Sequence, residues 1–171
     1  MVQDMRLQRL DVRWLDEVAE LVVDPLVRRF TRIPEPPPEG FARSWIDRYK
    51  EGRRAGTCEG FAVVDGDGRF VGLGLAPAID LDARELELGY IVASGARGRG
   101  VATEILRLLT EWAFEAIHAE RAFLIIDVEN RASQRVAERC GYQHEGDMRS
   151  IHLKDGQRID AGLWSRLPTD G

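Results

Sequence analysis

Hydrophobic and polar positions along this chain follow two periods, and each period predicts a different kind of element. Alternation or short apolar runs, which are typical of strands, occur in residues 6–10, 61–64, 69–76, 85–92, 122–127, 143–153 and 158–167. Apolar side chains three and four residues apart, which are typical of helices, occur within residues 11–50, 101–116 and 133–139. The pattern therefore predicts strands interleaved with helices.

The helix that starts near Val101 has the clearest amphipathic pattern. Its predicted buried face contains Val101, Ile105, Leu108, Leu109, Trp112 and Ala116. Earlier helices are expected to bury Leu15, Val18, Ala19 and Val22, and then Trp45, Ile46 and Tyr49. Asp11 is the expected cap of the first helix, and Pro25 interrupts it, which leaves a short helical piece up to Phe30.

Turn residues separate these segments. Residues 65–68, Asp-Gly-Asp-Gly, predict a hairpin, and Asp155-Gly156 predicts a second turn between the last two strands. Gly56 and Gly141 mark helix ends, and the proline-rich residues 34–38 predict a stiff linker between helices. The predicted order is β-αα-βββ-α-β-α-ββ in one α+β domain over residues 1–171.

Composition narrows the functional class. The net charge of −5 argues against a nucleic-acid-binding surface. The N-terminus does not resemble a secretion signal, and no apolar run has the length of a membrane span, so we expect no membrane partner. Two cysteines form no disulfide framework, which suits the cytoplasm, and the three histidines have no metal-ligand spacing, so no metal is expected.

The segment Arg97-Gly98-Arg99-Gly100-Val101-Ala102 carries the strongest chemical signal. It lies between an apolar strand and an amphipathic helix. A glycine-rich turn that opens a helix presents unsatisfied N–H groups and the positive end of the helix dipole to an anion. Glycine also allows a phosphate to approach the backbone closely. The segment therefore predicts a site for a phosphorylated cofactor.

Other kinds of loop fit this segment less well. A P-loop requires Gly-Lys-Ser/Thr, but Val101 and Ala102 follow Gly100, so we reject it. A dinucleotide fingerprint would use Gly98 and Gly100, but Thr103 occupies the position of the third glycine. That interpretation, and an ordinary glycine-rich turn, stay open as minor alternatives.

Several short motifs, in order, resemble the GNAT superfamily of N-acetyltransferases. Arg97-x-x-Gly100-x-Ala102 resembles its pyrophosphate loop, and residues 130–133 with 138–142 resemble its N-x-x-S…E-x-x-G-F/Y segment. Residues 87–90, Glu-Leu-Gly-Tyr, and the strands around Asp155-Gly156 resemble the branch that includes the ribosomal-protein N-terminal acetyltransferases. The resemblance implies a GNAT fold, with a central mixed, mostly antiparallel sheet of about seven strands flanked by helices.

The resemblance also implies where acetyl-CoA would bind. Its pyrophosphate would contact the backbone of Arg97, Gly98, Arg99, Gly100, Val101, Ala102 and Thr103. Ile91 and Val92 would offer main-chain groups to the pantetheine arm, and Asn130 would bond its amides. An ordinary turn asparagine is the alternative interpretation of Asn130.

Three residues are the catalytic candidates. Glu87 would accept a proton from the amine or orient it, although Glu85 lies on the same strand face and is a competitor. Ser133 would protonate the CoA thiolate, although it could instead cap the helix that follows. Tyr142 is a second proton donor in the family, but packing in the core is the stronger interpretation here.

Two further features bear on the amine. The acidic residues Asp80, Asp82, Glu85 and Glu87 are either a solvated loop or an attractive surface for a cationic amine. Trp45 is expected in the core, with the lining of an acceptor groove as its alternative.

The sequence therefore predicts a cytoplasmic, acetyl-CoA-dependent N-acetyltransferase that acts directly on a primary amine, such as a protein N-terminus or a small amine. The alternative is a non-catalytic acyl-CoA-binding module. The acceptor and the oligomeric state stay open, with a homodimer among the options.

Overall fold

One seven-stranded sheet forms the centre of the molecule in a computed structural model that describes residues 4–170. The strands are β1 (Arg6–Arg9), β2 (Glu59–Val64), β3 (Phe70–Asp80), β4 (Glu85–Val92), β5 (Arg121–Asp127), β6 (Gln143–Lys154) and β7 (Gln157–Arg166). Their spatial order is β1-β2-β3-β4-β5-β7-β6, and only the β4–β5 pair is parallel. The predicted mixed, mostly antiparallel sheet and α+β class are confirmed.

Five α-helices flank the sheet. They are α1 (Leu15–Val23), α2 (Pro25–Phe30), α3 (Phe41–Ala55), α4 (Val101–Glu115) and α5 (Arg131–Arg139). The end of α3 at Gly56 is confirmed, and this glycine adopts φ 71° and donates its N–H to Arg53. The stretch between β1 and β2 holds one helix more than the predicted order, because Pro25 starts a separate helix capped by Asp24.

The two faces of the sheet carry separate hydrophobic clusters. One cluster packs α4 and α5 against the sheet through side chains such as Leu88, Ile105 and Leu109. The other packs α1 and α3 against the opposite face through side chains such as Ile46 and Ile91. Successive residues of a strand point to opposite faces, so β4 contributes to both clusters.

Two predicted buried positions were wrong. Ala19 and Ala116 are exposed, while Leu21 and Ala113 are buried. Helix α4 ends at Glu115, so Ala116 lies beyond its buried stripe. Helix α1 is preceded by a short 3-10 turn at Val12–Trp14, which Asp11 caps, and its buried face therefore follows Val18, Leu21 and Val22.

Strands β4 and β5 separate along their length, and this separation positions the site. They pair over only three residues of each strand, Glu85–Glu87 against Arg121–Phe123. Beyond this point both strands continue without pairing to each other, to Val92 and Asp127. A register shift between Leu75 and Ala78 also bends the β3–β4 pair near the same place.

No helix within residues 4–170 has both the length and the apolar character that crossing a membrane requires. Cys58 and Cys140 are both free and buried.

Candidate active site

A pocket of about 660 Å³ opens where β4 and β5 separate. Its walls come from α2, α3, β3, β4, β5, α5 and the β6–β7 hairpin, and they reach from Arg97 and Ala102 at one end to Glu87 and Trp45 at the other. The six residues of β4 from Glu87 to Val92 are separated by five steps, which span about 16 Å at ~3.3 Å per residue. The pocket is therefore long enough to hold two reactants end to end.

The loop before α4 has the geometry of an anion site. Gly98 and Gly100 adopt φ 75° and 80°, and both are exposed. The first helical hydrogen bond runs from Glu104 N–H to the Gly100 carbonyl. The N–H groups of residues 98–103 have no acceptor among residues 4–170, so they are available to a phosphate at the helix start.

The side chain of Arg97 has a partner within the protein. Its guanidinium forms an ion pair with Asp24 at 2.9 Å and donates from Nε to the Val92 carbonyl oxygen at 3.2 Å. These two contacts hold the loop against Val92 at the end of β4 and against Asp24, the N-cap residue of α2. Arg97 therefore shapes the loop, and the backbone N–H groups and the exposed Arg99 are the groups left to face an anion.

Ile91 and Val92 lie at the end of β4, where the strand no longer pairs with β5. Both line the pocket, and the Ile91 side chain packs into the cluster that includes α3. The Ile91 carbonyl oxygen faces β3, so Val92 is the member of the pair whose main-chain groups face the β5 side, where it has no strand partner. This edge can pair with an extended substrate arm.

Glu87 lines the opposite end of the pocket. Burial raises its pKa, and the nearby guanidinium groups of Arg32 and Arg48 oppose that shift. A carboxylate with a raised pKa is a better proton acceptor for an ammonium group than an ordinary one. Its competitor Glu85 forms an ion pair with Arg121 at 3.5 Å and does not line the pocket.

Ser133 lies in the first turn of α5 and contacts Tyr90 of β4. The two hydroxyl oxygens are 2.7 Å apart, and either group can donate. Both residues line the pocket, and burial raises the pKa of Tyr90 to about 12. The pair therefore holds a proton at neutral pH at a pocket wall.

The capping interpretation of Ser133 was wrong. Asn130 caps α5, and its Oδ1 accepts the Ser133 N–H at 3.1 Å. An amide oxygen at this position satisfies the first-turn N–H, which leaves the Ser133 hydroxyl for Tyr90. The Asn130 side chain also lines the pocket, where its amide nitrogen remains available.

Tyr142 faces the core. It is 3 % exposed, it does not line the pocket, and its hydroxyl lies 2.8 Å from Thr110 Oγ1 in the interior of α4. Burial raises its pKa above the ordinary value. The structure therefore removes it from the group of side chains that surround the pocket, and Tyr90 stands beside Ser133 instead.

The sequence patterns did not indicate several residues that line the pocket with Glu87, namely Arg32, Arg48, His152 and Lys154. Of these, Arg32 and Arg48 lie close enough to Glu87 to act on its charge. Burial and the charge of Arg32 lower the pKa of His152, and the charge of Asp127 opposes that shift. Trp45 is partly buried, packs against the cluster that includes α3, and also lines the pocket.

The acidic stretch before β4 does not form the pocket. Asp80 Oδ1 accepts the Ala83 N–H at 2.8 Å in an exposed turn, and Glu85 faces Arg121. Of these acidic residues only Glu87 reaches the pocket, so the solvated-loop interpretation describes the rest. Within residues 4–170 no three His, Cys, Asp or Glu side chains are grouped to hold a metal ion.

Known proteins share both sequence and fold with this chain. The acetyltransferase (GNAT) domain family matches residues 5–143. YdaF of Bacillus subtilis (strain 168), a candidate ribosomal N-acetyltransferase, is 32 % identical over 101 residues. That match covers 59 % of this chain and 55 % of the relative, little more than half of its length.

Two solved structures have the same fold over nearly the whole chain. A RimL ribosomal alpha-N-protein acetyltransferase in complex with coenzyme A has a TM-score of 0.88 at 18 % identity, covering 99 % of this chain and 97 % of that chain. The spermidine N-acetyltransferase of Vibrio cholerae, in complex with CoA and spermine, has a TM-score of 0.86 at 20 % identity. It covers 98 % of this chain and 97 % of that chain.

Proposed function

This chain belongs to the GNAT family of acetyltransferases, and we propose that it transfers an acetyl group from acetyl-CoA directly to a primary amine. One observation carries the proposal: the pocket between β4 and β5 runs from the glycine-rich loop before α4, with its free backbone N–H groups, to the partly buried carboxylate of Glu87. A phosphorylated thioester and an amine would enter from these two ends and meet beside Tyr90 and Ser133.

Each chemical step has a residue beside it. Glu87 takes a proton from the ammonium, directly or through water, so that the nitrogen lone pair can attack the thioester carbonyl. Unpaired main-chain N–H groups at the end of β4 stabilise the oxyanion. When the C–S bond breaks, Ser133 gives its proton to the thiolate, and the nitrogen loses its second proton to water as the amide forms. Ser133 then regains a proton from water through Tyr90.

The two faces of β4 separate these roles. Glu87 shares the strand face of Ile91, which packs toward α3, and Tyr90 points to the face covered by α4 and α5. Proton removal from the amine and proton delivery to sulfur therefore happen on opposite faces of one strand. Because the strand separates them, the proton donor Ser133 does not transfer its proton to the acceptor Glu87.

The relatives suggest which amines to test first. A candidate ribosomal N-acetyltransferase and a spermidine N-acetyltransferase stand among the similar proteins, so a protein α-amine and a polyamine are the first two acceptors. Two free, buried cysteines suit a reducing cytoplasm, where we place the reaction. A homodimer is compatible with this proposal but not required by it.

Turnover measurements test the proposal. CoA release from acetyl-CoA is followed with the protein alone and with each amine of a panel, and the acetylated product is identified by mass. We expect amine-stimulated release with stoichiometric amide formation. If acetyl-CoA binds tightly but no amine stimulates release, the alternative of a non-catalytic acyl-CoA-binding module replaces the proposal.

A further inference from the structure

The lining of the pocket is rich in cationic side chains, although the chain as a whole has a net charge of −5. The cations that line the whole pocket are Arg29, Arg32, Arg48, Arg97 and Lys154. The carboxylates that line it are only Glu87 and Asp127. This local excess of positive charge is opposite in sign to the overall charge of the protein.

Some of these cations already have carboxylate partners. Arg97 pairs with Asp24 at 2.9 Å, and Arg29 lies 3.7 Å from Glu129. In the described part of the chain, Arg32, Arg48 and Lys154 have no carboxylate within 4.0 Å. Three positive charges at the pocket wall are thus left for a ligand.

Arg32 and Arg48 lie close enough to Glu87 for their charges to lower its pKa. The guanidinium carbon of Arg48 also stands 5.4 Å from the centre of the Tyr49 ring, which restricts where its charge can move. Glu87, near which both arginines lie, is separated from Val92, the end of β4 that leads to the phosphate loop, by about 16 Å of strand. The two arginines therefore face the amine and not the pyrophosphate.

We propose that the preferred acceptor carries a carboxylate near its amine, and that Arg32 and Arg48 bind this carboxylate while the amine lies at Glu87. An ammonium ion alone would be repelled by two guanidinium groups, and a polyamine would add further repulsion. A carboxylate on the same molecule reverses that balance through charge-assisted hydrogen bonds. This inference rests on the proposed acetyl transfer.

The carboxylate can come from two sources, namely a free amino acid or an acidic residue close to the N-terminus of a polypeptide. Matched acceptors distinguish them. A free amino acid is compared with its C-terminal amide, and an N-terminal Ser-Glu-Glu peptide with Ser-Gln-Gln, both peptides amidated at the C-terminus. A linear polyamine is the cationic comparison.

We expect kcat/KM for the carboxylate member of at least one pair to exceed that of its amide by about 10- to 100-fold, the range for hydrogen bonds to charged groups. A preference within the amino-acid pair would identify a free amino acid as the acceptor, and a preference within the peptide pair would identify an acidic polypeptide N-terminus. Arg32→Gln and Arg48→Gln should each reduce the preference to a few-fold. Arg48→Lys should keep only part of it, because lysine retains the charge but not the planar pair of donors.

Arg43→Gln is the control. Arg43 lies on the same helix as Arg48, is exposed, and pairs with Asp47 away from the pocket. Arg43→Gln should leave the preference for the carboxylate acceptor unchanged. CoA affinity should be equal in the Arg32, Arg43 and Arg48 variants.

The outcomes separate the two proposals. Faster acetylation of the amides or of the polyamine would overturn the carboxylate inference while acetyl transfer stands. An unchanged preference in the double variant R32Q/R48Q would also overturn it. CoA release that no amine stimulates would overturn acetyl transfer and this inference with it.

Discussion

The hydroxyl of Tyr90 on β4 lies 2.7 Å from the hydroxyl of Ser133 on α5, across the opening between β4 and β5. These residues are 43 positions apart in the chain. Their contact places an exchangeable proton at the pocket wall between the phosphate loop and Glu87.

Replacing Ser133 tests whether it protonates the leaving thiolate. Ser133→Ala should slow turnover by about 10²–10⁴-fold, the usual contribution of a general acid, while CoA affinity changes by a few-fold at most. Tyr90→Phe should slow turnover less, because it leaves the serine in place. The double variant should be no slower than Ser133→Ala, since the two groups act as one unit.

Tyr142→Phe is the matched control for that series. Its hydroxyl contacts Thr110 in the core and not the pocket. We expect a loss of about 1 kcal/mol in the free energy of unfolding and a normal turnover rate. A large loss of turnover at unchanged stability would return Tyr142 to the catalytic group.

The phosphate loop is tested by adding a negative charge at its centre. Gly100→Asp should weaken CoA binding by at least about 2 kcal/mol, because amide contacts are lost and the new carboxylate repels the pyrophosphate. Gly68→Asp is the control, since Gly68 has the same φ of 80° and the same open surroundings in the β2–β3 hairpin. Calorimetry that gives equal CoA affinity for both variants would contradict the loop assignment.

Glu87 is tested by its pH–rate profile. Glu87→Gln keeps the shape of the side chain but removes its basicity, so turnover at pH 7 should fall by roughly 10–10³-fold. The loss should shrink at high pH, where more of the amine is already unprotonated. An orienting role would instead raise the acceptor KM with little change in the profile. Coincident profiles of the two proteins would exclude Glu87 from catalysis.

Glu87→Gln should also change stability. Burial raises the pKa of Glu87 in the folded state, so the folded protein holds this proton more tightly than the unfolded chain. Its favourable contribution is therefore present below the ordinary pKa of glutamate and is lost as pH rises through the raised one. The variant should therefore have a higher Tm than the parent protein at pH 7 and an equal Tm near pH 3.

Glu85→Gln provides the comparison for that measurement. It removes a partly exposed ion pair with Arg121, so Tm should stay unchanged or fall slightly. A gain in Tm from Glu85→Gln equal to that from Glu87→Gln would show that relief of general negative charge, and not burial of Glu87, is the cause.

Gly89 provides a test of the pocket itself. A Cβ atom there would meet nothing within 4 Å, and the residue lines the pocket. Gly89→Val should therefore fold normally but slow turnover by about 10–10²-fold, because it displaces the reactants. Gly72→Val should instead unfold the protein more readily, since its Cβ would come within 2.2 Å of the Ile91 carbonyl oxygen. Normal turnover in Gly89→Val would place the reaction elsewhere.

Local sequence patterns determined much of the fold. The bounds of β4 and the start of α4 agree with the apolar spacing, and the glycine positions predict both the loop and the end of α3. These features depend on the period of one element and on the φ that glycine permits, and both are properties of neighbouring residues. The candidate pyrophosphate loop could therefore be found without a structure.

Only the tertiary structure decided which side chains surround the reactants. Arg32 lies after α2, Arg48 on α3 and His152 on β6, and no local pattern indicates that all three line one pocket with Glu87. No local pattern indicates the contact between Tyr90 and Ser133 or the ion pair between Arg97 and Asp24 either. Strand alternation fixes the face on which a residue lies, but contacts between distant elements depend on where β4 and β5 stop pairing. That geometry is set by the packing of the whole sheet against its helices.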